Sequence, residues 1–335
     1  MSIGVSVVTV LLFFCGPVTC QCQALTGAGA TFPAPIYQKW IRSFESRSPG
    51  MAITYDSVGS ELGIQKLEHG DADFAASDFL PSEETQRKLA VRLIATIVGG
   101  VVPVYNLPNL PRELRFTPQL LADIFLGKVT RWNDAQIKTL NHDLQLPAEE
   151  IVVVHRSDGS GTSYVWTDFL STTSTEWRSK VGASSAPQWP AGRGANGNEG
   201  TARTISQTPF SIGYVELIYA LQNHLVYGLI KNAAGNFVQA DIDTLTAAAA
   251  NVQGSVDRGI SIVNAAGQNS YPIASFTWLL IPSRMESVPQ RERLRAFLDW
   301  VLSAGQREAG ALGYIALPHA LAERERSVVA AMWQK

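Results

Sequence analysis

The sequence predicts an α/β protein of two lobes joined by crossing strands, and three observations carry that expectation. Short apolar, β-branched runs alternate with amphipathic stretches of helical period along the chain. Several junctions from such a run into a helix hold Gly beside Ser or Thr. The apolar stretch over 93–105 and the later run Phe276-Thr277-Trp278-Leu279-Leu280-Ile281 read as strands that leave one lobe and come back to it. One lobe is then expected over 25–102 together with 276–335, and the other over 103–275. A chain of 335 residues is long enough to bury a core in each.

The N-terminal stretch is apolar over 3–18 and carries no charge through Ala24, so residues 1–24 read as a signal peptide of an exported protein. Cys22-Gln23-Ala24 supplies small residues where a signal peptidase reads them, and Pro17-Val18-Thr19 before Cys20 is a poor lipobox, which disfavours a lipid anchor. Cys15, Cys20 and Cys22 all fall in this leader, so a chain starting at Leu25 would hold neither a disulfide nor a thiolate metal site. The histidines at 69, 142, 155, 224 and 319 show no metal-ligand spacing. A net charge of −2 excludes a broad basic surface for nucleic acid or acidic lipid. Any anion must then be captured locally.

Four segments point to such capture. After the leader, Gly27-Ala28-Gly29-Ala30-Thr31-Phe32-Pro33-Ala34-Pro35 runs into a helix whose Ile36, Trp40, Ile41 and Phe44 share one face, so Thr31 and the Phe32 N–H stand at a rigid helix start. A strand over 52–58 then reaches a helix through Gly59 and Ser60, where Ser60 could also be a plain N-cap. Next, Asp71-Ala72-Asp73-Phe74-Ala75-Ala76-Ser77-Asp78 reads as a short strand, with Asp78 a candidate ligand group or the cap of a helix behind Pro81, Glu83 and Glu84. Finally, the buried strand Ile151-Val152-Val153-Val154 leads through Arg156-Ser157-Asp158-Gly159-Ser160-Gly161-Thr162-Ser163 into an amphipathic helix over 164–170. The first N–H groups of a helix lack helical partners and face the positive end of its dipole, so each junction can hold an oxyanion without a cluster of lysines.

The order of these motifs resembles the periplasmic phosphate-binding proteins of high-affinity phosphate ABC transporters, the PstS family. The likeness continues through Ile97-Val98-Gly99-Gly100-Val101-Val102, through Leu121-Ala122-Asp123-Ile124-Phe125-Leu126-Gly127-Lys128 with Trp132-Asn133-Asp134, and through Ser211-Ile212-Gly213-Tyr214-Val215-Glu216, covering roughly 25–335. It implies the two-lobed solute-binding fold with a hinge and a ligand cleft. It also implies inorganic phosphate as ligand, an inner-membrane ABC permease as partner, a periplasmic monomer, and neither cofactor nor catalysis. Carried over, the phosphate contacts are Thr31, Phe32 through its backbone, Ser60, Asp78, Arg156, Ser160, Gly161 and Thr162, with Asp158 bracing Arg156. This chain departs from the family pattern at Glu61-Leu62, where small residues usually follow Gly-Ser. Glu61 would weaken binding unless it turns to solvent and complements the helix start.

Two other classes stay in view. A binder of another tetrahedral oxyanion such as sulfate would share most of these groups, Asp78 being the discriminating residue. A secreted esterase or phosphatase would use Ser160 with His155 or Asp158, but Asp158 stands where a G-x-S-x-G elbow needs Gly. The string Gly192-Arg193-Gly194-Ala195-Asn196-Gly197 follows Trp189-Pro190 and reads as a loop into a helix over 201–207, not as a dinucleotide site. A hairpin is expected around Ala233-Ala234-Gly235-Asn236. C-terminal helices are expected over 290–302, 306–312 and 320–334, with Glu323-Arg324-Glu325-Arg326 as a solvated face.

Overall fold

The structure, a computed structural model, describes residues 24–110, 113–250 and 261–333. The expected leader lies outside these residues apart from Ala24, as do all three cysteines. The strands described are β1 (Leu25–Gly29), β2 (Ile53–Ser57), β3 (Phe74–Ser77), β4 (Val91–Tyr105), β5 (Arg115–Phe116), β6 (Val152–Arg156), β7 (Arg193–Ala195), β8 (Ser211–Glu216), β9 (Val226–Tyr227), β10 (Leu229–Lys231), β11 (Phe237–Val238) and β12 (Ala274–Pro282). One sheet runs in the order β2-β1-β3-β12-β4-β8-β6-β7, with β9 also on β4.

The long strand β4 makes that sheet two-lobed. Its residues Val91 to Gly100 pair antiparallel with β12, and Val101 to Tyr105 pair antiparallel with β8. Every residue from Leu93 to Tyr105 is buried, because the strand is covered by layers of both lobes; this is why it reads as a continuous apolar run without alternation. The chain returns beside the same crossing, where the Val101 N–H donates to the Ile273 carbonyl at 2.9 Å and the Tyr271 hydroxyl to the Val101 carbonyl at 2.8 Å. On the β1 side, helix Ala34–Arg47 buries Ile36, Trp40, Ile41 and Phe44 as expected. Phe44 meets Phe297 of helix Val288–Val301 edge-on at 5.4 Å, and the Trp40 indole donates to the Gly305 carbonyl at 2.8 Å. Helices Ala34–Arg47 and Val288–Val301, far apart in sequence, thereby share one core. On the β6 side, Trp166 stacks on Tyr214 with ring centres 5.0 Å apart.

Several local expectations need correction. The loop expected before a helix over 201–207 is instead strand β7 followed by helix Gly197–Ser206, because the segment adds a parallel neighbour to β6 and the helix starts as soon as that strand ends. The stretch 306–312 forms two short 3₁₀ turns, Gly305–Glu308 and Gly310–Leu312, the second closed by left-handed Gly313 with φ 75°. Glu325 is not on a solvated face: it is buried on the stripe of Leu321, Ala322 and Val329 in helix His319–Ala331. The hairpin around Gly235 is present as β10 and β11.

Helix Ser60–His69 lies on β1 at the closest backbone approach that a glycine allows. A Cβ on Gly63 would stand 2.3 Å from the Gly29 Cα and 2.9 Å from the Ala28 carbonyl oxygen. Neither atom can swing aside, so Gly63→Ala is expected to lower stability by about 1–3 kcal/mol through overpacking. A urea midpoint equal to that of the parent would contradict this approach distance.

Candidate functional site

The C-terminal ends of the parallel strands on both sides of the β4 crossing deliver the candidate residues, each at the entry to a helix or just short of one. β1 ends into Thr31, Phe32 and helix Ala34–Arg47; β2 ends into helix Ser60–His69; β3 ends at Ser77, beside Asp78. From the other side, β6 ends in Arg156 and passes through Asp158 and Ser160 into helix Gly161–Thr173. Thr31, Phe32, Ser60, Asp78, Arg156, Ser160, Gly161 and Thr162 are all buried. Two cap readings do not hold. Gly59, not Ser60, is the residue before the helix start, and helix Glu83–Leu89 is capped by Ser82 rather than Asp78. Both side chains are thus released from capping.

The two sides meet at Gly161. A Cβ there would lie 2.4 Å from both the Asp78 Oδ2 and the Ser60 Oγ, so these groups face the helix start across the cleft. Asp78 Oδ2, Ser60 Oγ and Arg156 Nη1 are each buried without a hydrogen-bond partner. Leaving one such group unpaired costs about 1–3 kcal/mol, and more when it is charged. The remaining side-chain polar atoms of Asp78 and Arg156 each have a protein partner. Arg156 donates from Nε to Asp158 Oδ1 at 2.7 Å and from Nη2 to Asp158 Oδ2, which leaves Nη1 alone aimed elsewhere. Asp158 is held in turn by the Gly197 N–H at 3.0 Å.

The two carboxyls therefore differ. Burial works against the Asp158 carboxylate, but the Arg156 guanidinium and the Gly197 N–H outweigh it and hold its pKa below the usual range. Burial pushes Asp78 up to about 7, against the opposing pull of the Thr277 hydroxyl, 2.7 Å from Oδ1, and of the Arg156 charge.

Neutral donors complete the site. Ser160 Oγ accepts from the Ser163 N–H at 3.0 Å, so the Ser160 hydroxyl hydrogen is free to donate. The Thr31 carbonyl accepts from the Tyr219 hydroxyl at 2.7 Å and the Phe32 carbonyl from the Tyr314 hydroxyl at 2.6 Å. Because a trans peptide sets C=O and N–H in opposite directions, Tyr219 turns the Phe32 N–H away from itself. Together these groups can surround a small, desolvated oxyanion: one guanidinium NH, several hydroxyls and helix-start N–H groups donate, and one carboxyl can accept a proton from it.

Two residues stand differently from what the sequence suggested. Glu61 turns neither to the anion position nor to solvent: its carboxylate crosses the cleft to the Ser185 hydroxyl, and its N–H donates to the Gly159 carbonyl at 3.1 Å. Asn198 was missed. It is buried at the start of helix Gly197–Ser206, with its Nδ2 2.9 Å from both the Thr31 and the Thr162 hydroxyl oxygens. The signal that could have found it is the repeat of the strand-to-helix junction after β7, hidden inside a glycine string. His155, the proposed helper of an enzymatic Ser160, stacks on Trp189 at 4.8 Å with its Nδ1 3.0 Å from the Arg156 carbonyl oxygen.

Known proteins resemble this chain in sequence and in fold. A family profile described as a PBP superfamily domain matches residues 17–305. The phosphate-binding protein PstS of Pasteurella multocida is 40% identical over 327 residues, spanning 97% of this chain and 94% of its own. The phosphate-binding protein PstS of Methanocaldococcus jannaschii is 36% identical, spanning 88% of this chain and 82% of its own. Among solved structures, a high-affinity periplasmic phosphate-binding protein bound with phosphate shares the fold with a TM-score of 0.74 at 20% identity, over 91% of this chain and 93% of that one.

The contact at Gly161 gives a direct test of how closely the two sides approach. Gly161→Ala would place a methyl group on two short, buried side chains, so it is expected to leave the fold intact and to prop the lobes apart. Small-angle scattering should then give a larger radius for the variant than for the parent at saturating phosphate. Equal radii would contradict the close approach of Asp78 and Ser60 to this helix start.

Proposed function

The chain belongs to the PstS family of phosphate-binding proteins, and on that premise we propose that it binds inorganic phosphate between its lobes and delivers it to an inner-membrane ABC permease. The observation that carries the reading is the meeting of Ser60 Oγ and Asp78 Oδ2 at the Gly161 helix start, with the Arg156 charge near enough to act on Asp78; these two oxygens and Arg156 Nη1 are all buried without a partner. In this reading Arg156 supplies the one full positive charge. Thr31, Ser60, Ser160 and Thr162 donate from their hydroxyls, and Phe32, Gly161 and Thr162 donate from the backbone. Asp158 keeps the guanidinium fork in place, which Lys could not reproduce. The protein works as an exported, periplasmic monomer that carries its ligand without altering it. Its lobes are assigned to 25–102 with 276–335 and to 103–275, hinged at the β4 crossing.

Asp78 supplies selectivity between tetrahedral oxyanions. Phosphate near neutral pH keeps a proton that an ionised carboxylate can accept, whereas sulfate has none and meets only repulsion. Asp78→Asn replaces that carboxylate with an amide able to donate, so the phosphate-to-sulfate affinity ratio should shrink. The same ratio should depend on pH in the parent protein. With its pKa raised to about 7 by burial, Asp78 is charged above that pH and increasingly protonated below it, where it can donate to sulfate. Discrimination is therefore expected to fall as pH drops from about 8 to about 6. A ratio unmoved by both the substitution and the pH would remove Asp78 from this role.

Calorimetric titration of phosphate-stripped protein, first with phosphate and then with sulfate, tests the function itself. Phosphate is expected to bind the more tightly, and Arg156→Ala to lose about 2–5 kcal/mol of that binding, since the buried anion loses its charged partner. Tighter binding of sulfate would overturn the phosphate reading. An unchanged Arg156→Ala isotherm would place the site elsewhere.

A further inference from the structure

Asn198 occupies a position that none of the expected ligand groups explains. Its side chain is fully buried and every polar atom of its amide is used. Oδ1 accepts from the Glu216 N–H at 3.0 Å, and since a backbone N–H can only donate, that contact fixes which end of the amide is oxygen. Nδ2 is therefore the end facing the cleft, and it lies 2.9 Å from Thr31 Oγ1 and 2.9 Å from Thr162 Oγ1. The Asn198 backbone N–H adds a second donor to Thr31 Oγ1, at 3.3 Å.

A hydroxyl has one hydrogen and two acceptor lone pairs. Thr31 Oγ1 receives two donors from Asn198, so its lone pairs are occupied and its hydrogen must point to another acceptor. Thr162 Oγ1 receives one, from the opposite amide hydrogen. Left alone, a threonine hydroxyl at a helix start can turn its hydrogen back to a nearby carbonyl and present lone pairs to an anion, which is repulsive. We propose that Asn198 is a positioning residue that holds the Thr31 and Thr162 hydroxyls as donors toward the bound oxyanion, one from each side of the cleft. The inference rests on the phosphate-binding reading and deepens it. One amide, anchored on strand β8, gives two hydroxyls on different lobes a single polarity, and it does so only when the lobes are together.

The Asn198→Asp variant isolates this role. Asp is nearly isosteric and keeps an oxygen for the Glu216 N–H, but its ionised carboxylate only accepts, so both threonine hydroxyls would turn to it and away from the ion. Phosphate binding by Asn198→Asp is expected to be at least about ten-fold weaker than by the parent. The loss should diminish as pH is lowered and the carboxyl regains a hydrogen to donate, a recovery that damage to the fold would not produce. The second measurement is a double-substitution cycle read by phosphate calorimetry. Asn198→Ala combined with Thr162→Val should lose less than the product of the two separate losses, because each removes the same oriented hydroxyl, whereas Asn198→Ala combined with Ser60→Ala should lose the full product. Should Asn198→Ala fail to fold, the same cycles are run with Asn198→Asp. Parent-like phosphate binding by Asn198→Asp, or losses that multiply fully with Thr162→Val, overturns the inference while the phosphate reading stands. A parent protein that binds no phosphate overturns the reading on which it rests.

Discussion

The constraint on which this structure depends is that the guanidinium of its candidate site, that of Arg156, is already half spent. Arg156 gives two of its hydrogen-bonding nitrogens to Asp158 and keeps one for the cleft, where Asp78 contributes a second carboxyl. An anion entering such a site gains little from net charge. Its desolvation must be offset by neutral dipoles, and these are strong only where backbone N–H groups lack helical partners and hydroxyls have no competing acceptor. The architecture follows from that need. Parallel strands on both sides of β4 end at or shortly before helix starts, and their ends bring small hydroxyl residues, helix-start N–H groups and Asp78 toward one place. The limit is tight as well, since a small ligand yields at most about 1.5 kcal/mol per non-hydrogen atom, so an ion with an unmatched oxygen cannot be held firmly.

Much of this was legible in the sequence, for physical reasons that differ by residue. The strand β4 announced itself because burial on both faces demands apolar side chains at every position. Thr31, Ser60, Asp78, Arg156, Ser160, Gly161 and Thr162 came into view as candidates through the order of their motifs, which resembles the PstS family, whereas taken singly Ser60 and Asp78 also read as helix caps. Asn198 did not come into view. Its neighbours form a glycine string with no apolar lead-in, and its two hydroxyl partners lie 167 and 36 residues away, a relation set only by tertiary packing. Glu61 was misplaced for the opposite reason: local rules favour an acidic residue at a helix start, and they say nothing of a serine 124 residues on that draws the carboxylate across the cleft. Glu325 shows the same limit, since a run of alternating charges looks solvated until the helix stripe that contains it is known to be buried.

The contacts across the cleft fall into two kinds with different consequences. Glu61 with Ser185 and Gly159, and Thr31 with Asn198, are bonds the protein makes to itself when the lobes are together. Ser60 Oγ, Asp78 Oδ2 and Arg156 Nη1 are groups the same approach buries without giving them any protein partner. The first kind favours closure. The second opposes it, because each group surrenders water and receives nothing from the chain.

That opposition couples ligand to shape. At about 1–3 kcal/mol for each unpaired group, three of them can oppose an empty closed cleft by roughly 3–9 kcal/mol, while an oxyanion that satisfies all three removes the cost. Moving a two-state equilibrium from one part in a hundred to its inverse takes about 5.5 kcal/mol, so the orphaned groups alone are of the right size to make closure conditional on the ion. A site lined only with self-satisfied groups would close as readily without ligand as with it, and the permease of the proposed function could not then tell a loaded carrier from an empty one by its shape. Under that proposal the cost carried by Ser60, Asp78 and Arg156 is part of the signal. The bonds made by Glu61 and Asn198 must remain few enough not to cancel it.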